Sequence, residues 1–295
     1  MLKPLAFFTA LILFSSITFP QEQSKALLYR TETKLLHSII VGDDFEIYIS
    51  LPVDYYRSDT TYYPVLYSTD ANRAFGMVSD LVYVLSFPGH EIPELVVVGI
   101  GYRIKGLEDW AAKRNRDLLP TNDPQVDKRW TDFISKLSGR EDIISTSGSA
   151  SKFLEFIREE LIPYIESNYR VKKNDRALVG YSYGGVFTLY TLFTSPETFQ
   201  RYYAGSASME WDNKIIFNYE KEYADTHKDL PVTLFMSFGS LENKQSIADM
   251  FDMAALLESH NYPNLKLETH IFDDETHSSC MASGLTRALK VLYKK

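Results

Sequence analysis

The sequence contains a single cysteine, Cys280, among 295 residues. An intramolecular disulfide is therefore impossible, and the folded chain must be stabilised by its hydrophobic core. A free thiol can act as a nucleophile, but a lone cysteine is more often a small buried apolar residue. The sequence thus predicts a buried Cys280, because a better candidate for a nucleophile is present.

Positive charge is also scarce, since 31 Lys and Arg are outnumbered by 39 Asp and Glu and the formal net charge is -8. A nucleic-acid partner is therefore not expected. The sequence also lacks H-E-x-x-H and comparable ligand spacings, so the acidic residues around His277 do not predict a metal site. A hydrophobic content of 45% and a charged content of 24% are typical of a globular protein.

Long apolar runs are missing except near the start of the chain, where Lys3 precedes the run from Leu5 to Phe14. This run is shorter than the roughly 20 residues that a membrane span needs, and its layout is typical of a secretory signal peptide. We predict a signal peptide over residues 1–20 and one domain over residues 21–295. The mature protein is expected to be periplasmic or secreted and not attached to a membrane.

Short apolar runs rich in β-branched and aromatic residues predict strands along the rest of the chain. Between several of them, helical spacing of apolar residues predicts helices near residues 153–165 and 247–257, and a closing helix near residues 285–292. Strands that alternate with helices indicate an α/β fold with a mostly parallel sheet covered on both faces. The predicted strands are Ile39–Val41, Phe45–Leu51, Tyr63–Tyr67, Leu95–Ile100, Ala177–Tyr181, Tyr202–Ala204, Val232–Phe238 and Leu265–Phe272.

Two regions depart from this alternation. The first two predicted strands are separated only by residues 42–44, so we expect an antiparallel hairpin at the N-terminal edge of the sheet. Residues 122–149 are polar and contain Gly and Ser, with Trp130, Phe133 and Ile134 as anchors of a short helix. We interpret this stretch as an insertion near the functional site rather than as a domain boundary.

The segment LVGYSYGG, residues 178–185, contains G-x-S-x-G around Ser182. This pattern marks a nucleophile elbow when a buried strand precedes it and a helix follows it. Here residues 176–179 are predicted as a buried strand, and residues 186–193 have helical spacing. The context therefore indicates that Ser182 is a nucleophile.

A serine nucleophile needs a histidine as base and a carboxylic acid that orients the histidine. In α/β-hydrolases both follow the serine along the chain, first the acid and then the histidine. Glu242 follows the predicted strand Val232–Phe238, and His277 follows the predicted strand Leu265–Phe272. The other five histidines lie in polar loops, at a helix end or inside a strand, where a structural or solvated role is expected. We therefore predict the triad Ser182, His277 and Glu242.

Together with its surroundings, this pattern resembles the putative esterase family of α/β-hydrolases. That family includes esterase D, ferric-siderophore esterases, feruloyl and xylan-debranching esterases, and mycolyltransferases. The resemblance extends from about residue 35 to the C-terminus. It rests on the elbow and on the motifs YYPVLYSTDANRAF, VVVGIGY, RNRDLLPT, FLEFIREELIPYIESNYRV, YAGSASMEWDN and ETHSSCMASGLTRALKVLY.

The resemblance also implies where an oxyanion would be bound. The family usually has Leu-Asp-Gly after its third strand, whereas this chain has Thr69-Asp70-Ala71. By resemblance, the backbone N–H groups of Asn72 and Tyr183 would hold the oxyanion. Arg73, Arg116, Tyr181 and Trp211 are the candidate substrate-binding residues.

These residues predict an exported serine carboxylic-ester hydrolase that forms an acyl-enzyme and needs no cofactor. The resemblance implies a small-molecule or glycan-linked ester as substrate, such as a ferric-siderophore lactone or an aryl or acetyl ester of a polysaccharide. Two alternatives stay open. One is a peptidase of the same fold, and the other is a catalytically silent binding protein that keeps the fold.

Overall fold

The computed structural model describes residues 28–294, and its centre is one eight-stranded sheet with the strand order β1-β2-β4-β3-β5-β6-β7-β8. The signal peptide predicted for residues 1–20 lies outside the described residues. The strands are β1 (Thr31–Ser38), β2 (Asp43–Ser50), β3 (Tyr63–Ser68), β4 (Val96–Tyr102), β5 (Val171–Tyr181), β6 (Arg201–Gly205), β7 (Thr233–Gly239) and β8 (Lys266–Phe272).

The sheet is mostly parallel. Strand β2 pairs antiparallel with both β1 and β4, and every other neighbouring pair, from β4 through to β8, is parallel. This is the mostly parallel sheet with an N-terminal antiparallel hairpin that the sequence predicts, and the α/β-hydrolase fold is confirmed.

Helices cover both faces of the sheet. Apolar side chains of α1 and α9 pack on one face, and those of α4 to α8 pack on the other. The helices are α1 (Ala71–Ser86), α2 (Leu107–Leu118), α3 (Pro124–Ser138), α4 (Ala150–Phe156), α5 (Ile162–Asn168), α6 (Tyr183–Thr194), α7 (Trp211–Thr226), α8 (Lys244–Ser259) and α9 (Cys280–Leu292). A π-helical turn, Ile157–Leu161, joins α4 to α5.

Burial on both faces explains why the central strands are continuous apolar runs. Every residue of β4, with the sequence VVVGIGY, is buried. Alternate side chains of this strand point to opposite faces, so Val97 packs with α1 and α9 while Val96 and Val98 pack in the cluster on the other face. A strand that is buried on both sides needs no polar alternation.

The first predicted strand, Ile39–Val41, is wrong. These residues form the turn between β1 and β2, and the side chain of Ile39 is exposed. The true edge strand, Thr31–Ser38, has the sequence TETKLLHS and is only partly buried. An edge strand with one solvated face carries charged residues, so its apolar content is too low to reveal it.

The predicted insertion contains a longer helix than its composition suggests. Helix α3 spans 15 residues and is delimited by ordinary capping signals. The Asp123 side chain accepts hydrogen bonds from the N–H groups of Gln125 and Val126, Pro124 occupies the first turn, and Gly139 ends the helix in a left-handed conformation.

None of the helices within residues 28–294 has the length and the hydrophobicity of a transmembrane span.

Candidate active site

The three residues of the predicted triad meet at the carboxyl edge of the parallel strands. Ser182 follows β5, Glu242 lies in the loop after β7, and His277 lies in the loop after β8. All three line one groove of about 800 Å³. This edge is where open α/β sheets bind ligands, because the loops after parallel strands converge there.

Ser182 lies in a strained turn between β5 and α6. Its backbone has φ 59° and ψ -118°, a conformation that non-glycine residues rarely adopt. The Ser182 N–H donates to Gly205 O at 2.9 Å, and its carbonyl oxygen accepts from Gly185 N at 2.9 Å. The turn is therefore held on both sides of the serine, as a nucleophile elbow requires.

The two glycines of the pattern are required by close backbone approach. A Cβ on Gly180 would lie 2.0 Å from Gly184 O, and a Cβ on Gly184 would lie 2.5 Å from Thr69 Oγ1. Neither contact leaves room for a methyl group. The turn can therefore be this sharp only with glycine at both positions.

His277 contacts the acid directly, with 2.6 Å between its Nδ1 and Glu242 Oε2. An ionised carboxylate can only accept, so Nδ1 carries the proton of this contact and Nε2 is left free to take one. The exposure of the two side chains differs sharply, at 52% for His277 and 5% for Glu242. A buried carboxylate thus orients an imidazole that reaches solvent. Ser182 and His277 line the same groove, but no hydrogen bond joins Ser182 Oγ to His277 Nε2 among the described residues. In serine hydrolases the hydrogen bond between nucleophile and base often forms only when substrate binds.

Three donors keep the Glu242 carboxylate charged. Burial opposes its ionisation, but hydrogen bonds from His277, Ser206 and the Gly239 N–H outweigh burial and hold the pKa of Glu242 below its ordinary value. Ser206 Oγ lies 2.6 Å and Gly239 N 2.7 Å from Glu242 Oε1. The sequence did not predict a role for Ser206, because a serine after a strand has no distinctive pattern.

We expect Ser206→Ala to lower kcat about tenfold with little change in KM. The variant removes a hydrogen bond to a charged acceptor, and such a bond contributes about 1.5 to 3 kcal/mol. Ser237→Ala is the matched control, because Ser237 is equally buried in the neighbouring strand but its hydroxyl contacts Tyr203 instead of the acid. Steady-state hydrolysis of a p-nitrophenyl ester measures both, and an equal loss in the two variants would contradict a specific effect on Glu242.

Tyr181 connects the elbow to the histidine loop. Its hydroxyl donates to the carbonyl oxygen of His277 at 2.7 Å and lies 2.8 Å from Ser206 Oγ. Its ring centroid is 5.2 Å from that of His277. Tyr181 lines the groove, but its hydroxyl is bonded to other protein groups, and its predicted contact with substrate stays a prediction.

The two candidate oxyanion donors stand at the N-termini of two helices beside the groove, which Tyr183 lines and which Asp70 and Arg73 line on either side of Asn72. Asn72 is the second residue of α1, and Tyr183 is the first residue of α6. Backbone N–H groups in the first turn of a helix have no intrahelical acceptor and favour negative charge. Both N–H groups are therefore suited to a developing oxyanion, and their role stays a prediction.

The alanine that replaces the usual glycine of the family fits without strain. The left-handed residue of this loop is Asp70, with φ 56°, while Ala71 begins the helix. The space for its methyl group comes from β4, where a Cβ on Gly99 would lie 2.8 Å from Ala71 Cβ. The next side chain anchors the turn: Asn72 Nδ2 donates to Tyr102 O at 2.8 Å, and Asn72 Oδ1 accepts from Tyr102 N at 2.7 Å.

The remaining candidate residues lie in three different places. Arg73 lines the groove and stacks on Trp110, with 4.9 Å from its guanidinium carbon to the ring centroid. Trp211 lines an adjoining cavity of about 690 Å³ that shares Tyr183 as a wall with the groove. Arg116 does not reach the groove, which corrects the expectation that it binds substrate there.

Arg116 is engaged in ion pairs, with Nη1 2.9 Å from Asp43 and Nε 2.7 Å from Asp117. It lies on α2, where residues two positions apart point to different sides. Arg114, on the same helix, therefore faces the groove that Arg116 does not.

Cys280 is fully buried, as the sequence predicts. Burial raises the pKa of its thiol to about 11, so the thiolate that a nucleophile requires is disfavoured. In the part of the chain that the structure describes, no group of three or more His, Cys, Asp or Glu is arranged to hold a metal ion.

Known proteins resemble this chain in sequence and in structure. The sequence profile of the family described as "Putative esterase" matches residues 135–233. The ferri-bacillibactin esterase of Bacillus subtilis is 29% identical over 88% of this chain and 88% of its own length. The siderophore triacetylfusarinine C esterase of Aspergillus fumigatus is 26% identical over 86% of this chain and 90% of its own length.

The structural comparison agrees with the sequence comparison. The crystal structure of the BES protein from Bacillus cereus superposes with a TM-score of 0.80 at 26% identity, covering 94% of this chain and all of that one (100%). Sequence, fold and relatives thus lead to one assignment. The chain resembles the putative esterase family, has the α/β-hydrolase fold and is a carboxylic-ester hydrolase.

Proposed function

We propose that this esterase hydrolyses ester bonds of siderophores through a Ser182, His277 and Glu242 triad. The observation that carries the proposal is the 2.6 Å contact between His277 Nδ1 and Glu242 Oε2, in the same groove as a serine held in an elbow turn. This contact leaves Nε2 of His277 as the proton acceptor for the Ser182 hydroxyl.

In the proposed reaction, His277 removes the Ser182 proton while Oγ forms a bond to the ester carbonyl carbon. The carbonyl oxygen becomes an oxyanion that the N–H groups of Asn72 and Tyr183 stabilise. As the carbon–oxygen bond to the alcohol breaks, the alcohol leaves with the proton from His277. A water molecule, deprotonated by the same histidine, then hydrolyses the acyl-enzyme and restores Ser182.

The groove supports a bulky, anionic ester as substrate. Its volume of about 800 Å³ is within the range of small-molecule sites, and the adjoining cavity adds an aromatic wall of Trp130, Phe133 and Trp211. Arg73 is exposed on its rim, where it can contact an anionic chelate. The two relatives of similar length, named as siderophore esterases, favour this class over polysaccharide esters.

A covalent probe tests the triad. The purified protein is incubated with p-nitrophenyl acetate and butyrate, with and without a fluorophosphonate, and the label is mapped by mass spectrometry. We expect turnover that the probe abolishes and a single label on Ser182. Turnover without a label on Ser182 would refute the nucleophile, while neither turnover nor label would favour a silent binding protein.

A substrate comparison tests the siderophore assignment. Iron-loaded and iron-free trilactone siderophores, a feruloylated or acetylated xylan and a peptide ester are compared by kcat/KM. We expect the siderophores to exceed the xylan esters by at least about tenfold, a difference of about 1.4 kcal/mol in transition-state binding. Higher values for xylan or for the peptide ester would overturn the substrate class and leave the triad intact.

Export is part of the same proposal and rests on residues 1–20 of the sequence. A siderophore lactone or a polymer ester outside the cytoplasm would then meet the enzyme directly. Mass spectrometry of the protein recovered from the periplasm or medium of an expressing bacterium would show a new N-terminus near residue 21. Full-length protein confined to the cytoplasm would contradict export.

A further inference from the structure

Arg114 is a buried arginine beside the groove and has no role in the triad. It lies on α2, within the motif RNRDLLPT, and only 8% of its surface is exposed. Burial by itself would lower the pKa of the guanidinium, but the charge and hydrogen bonds of Asp70 outweigh burial and raise it. The group therefore remains charged although it is removed from solvent.

The contacts of Arg114 are divided between the two loops that carry the candidate oxyanion donors. Its Nε and Nη2 each donate to one carboxylate oxygen of Asp70 at 2.8 Å. Its guanidinium carbon lies 5.1 Å from the ring centroid of Tyr183 and 4.9 Å from that of Trp110. The planar cation thus lies close to two aromatic rings while its edge binds an acid.

Asp70 is the residue that sets the start of α1. Its carbonyl oxygen accepts from Arg73 N at 3.0 Å and from Ala74 N at 3.1 Å, so the first turn of the helix begins from it. Its side chain turns away from that helix to Arg114, and one of its oxygens lies only 3.5 Å from the position of a Cβ on Gly184. A carboxylate is therefore packed between the two helix N-termini.

We propose that Arg114 is a positioning residue of the oxyanion site. It binds Asp70, which begins the helix that carries the Asn72 N–H, and it packs against Tyr183, whose own N–H is the second donor. Arg114 thereby holds the two donor loops in a fixed relative position. This inference rests on the proposed function, because it concerns the same ester hydrolysis. It has a geometric part, since one rigid side chain fixes both donor loops. It also has an electrostatic part, because Arg114 neutralises a buried carboxylate that would otherwise repel the oxyanion.

Removing the guanidinium should impair the transition state more than the bound substrate. For Arg114→Met we expect kcat to fall roughly 10- to 100-fold, which is up to the loss of one oxyanion donor, with KM changed less than about threefold. A boronic acid that forms a tetrahedral adduct with Ser182 should lose affinity by a similar factor. A rise in KM with kcat unchanged, or unchanged affinity for the boronic acid, would overturn the proposal.

Two further variants keep the test decisive if Arg114→Met does not fold. Arg114→Lys keeps the charge but cannot make both bonds to Asp70 or stack as a plane, so kcat should fall about tenfold. Asp70→Asn should also reduce kcat. The double variant, Asp70→Asn with Arg114→Lys, should have a kcat no lower than that of the slower single variant, because both substitutions break the same contact between residues 70 and 114. Losses that multiply would show that the two residues act independently and would refute the pairing.

Controls separate this inference from general instability and from the proposed function itself. Arg140→Met removes another arginine that pairs with α2, through Asp109 at 3.0 Å, but Arg140 does not line the groove. We expect the kcat of Arg140→Met, normalised to the fraction of protein that reacts with the fluorophosphonate, to stay within about twofold of the wild-type value, as for a surface substitution. If the wild-type enzyme does not label on Ser182, the proposed function fails. If it labels and the Arg114 variants keep kcat, only this inference fails.

Discussion

Ser182→Ala should lower kcat for p-nitrophenyl butyrate by at least about 10⁴-fold, because removing the nucleophile of a triad removes nearly all of its catalysis. Folding should be retained. The Ser182 side chain makes no hydrogen bond among the described residues, and the turn is held by its backbone bonds to Gly205 and Gly185. We therefore expect the free energy of unfolding in urea to change by less than about 1 kcal/mol.

Ser79→Ala provides a matched control for this variant. Ser79 is also buried, but it lies in α1 and its hydroxyl contacts Ser50 rather than the groove. Its turnover should equal that of the wild type. If Ser182→Ala kept more than a tenth of wild-type kcat while Ser79→Ala behaved as expected, the nucleophile would have to be another residue.

Glu242→Gln should lower kcat by about 10⁴-fold while KM changes little, because the variant removes the acceptor that fixes the tautomer of His277. The glutamine amide is nearly isosteric, and its NH₂ group facing Nδ1 favours the tautomer with the proton on Nε2. That nitrogen could then no longer accept a proton from Ser182. Stopped-flow measurement of acylation with p-nitrophenyl acetate would locate the loss in the step that deprotonates the serine.

Asp274→Asn tests whether the acid has been assigned to the correct loop. Asp274 is exposed and lies three residues before His277, in a left-handed conformation with φ 58° that asparagine tolerates. Its N–H donates to Ser240 Oγ, and this backbone contact survives the substitution. We expect wild-type turnover. A severe loss in this variant, with Glu242→Gln active, would mean that Asp274 is the acid.

The parallel part of the fold could be predicted because its strands are buried on both faces and therefore stand out as apolar runs. The order of strands and helices then determined the fold class. The edge strand Thr31–Ser38 could not be predicted in the same way, because its exposed face carries charges while the neighbouring turn carries Ile39 and Ile40. Apolar content therefore marked the turn instead of the strand.

The candidate site was predictable where backbone pattern decides and not where side-chain direction decides. Ser182 follows a strand and precedes a helix, so its loop could be recognised from local sequence. Whether Arg114 or Arg116 faces the groove depends on the rotation of α2 about its own axis, and α2 was not assigned from the sequence. Ser206 contacts Glu242 only because β6 and β7 are neighbours in the sheet.

The half-exposed side chain of His277 has a consequence for the size of molecule that the enzyme can process. Because the proposed catalytic base already meets bulk water, it does not depend on a gate that opens before each turnover. One ester bond of a voluminous molecule can therefore enter the groove while the rest of that molecule stays hydrated outside it. Such an enzyme recognises only the groups around a single ester bond. Successive ester bonds of one ring or chain can therefore be hydrolysed in separate binding events.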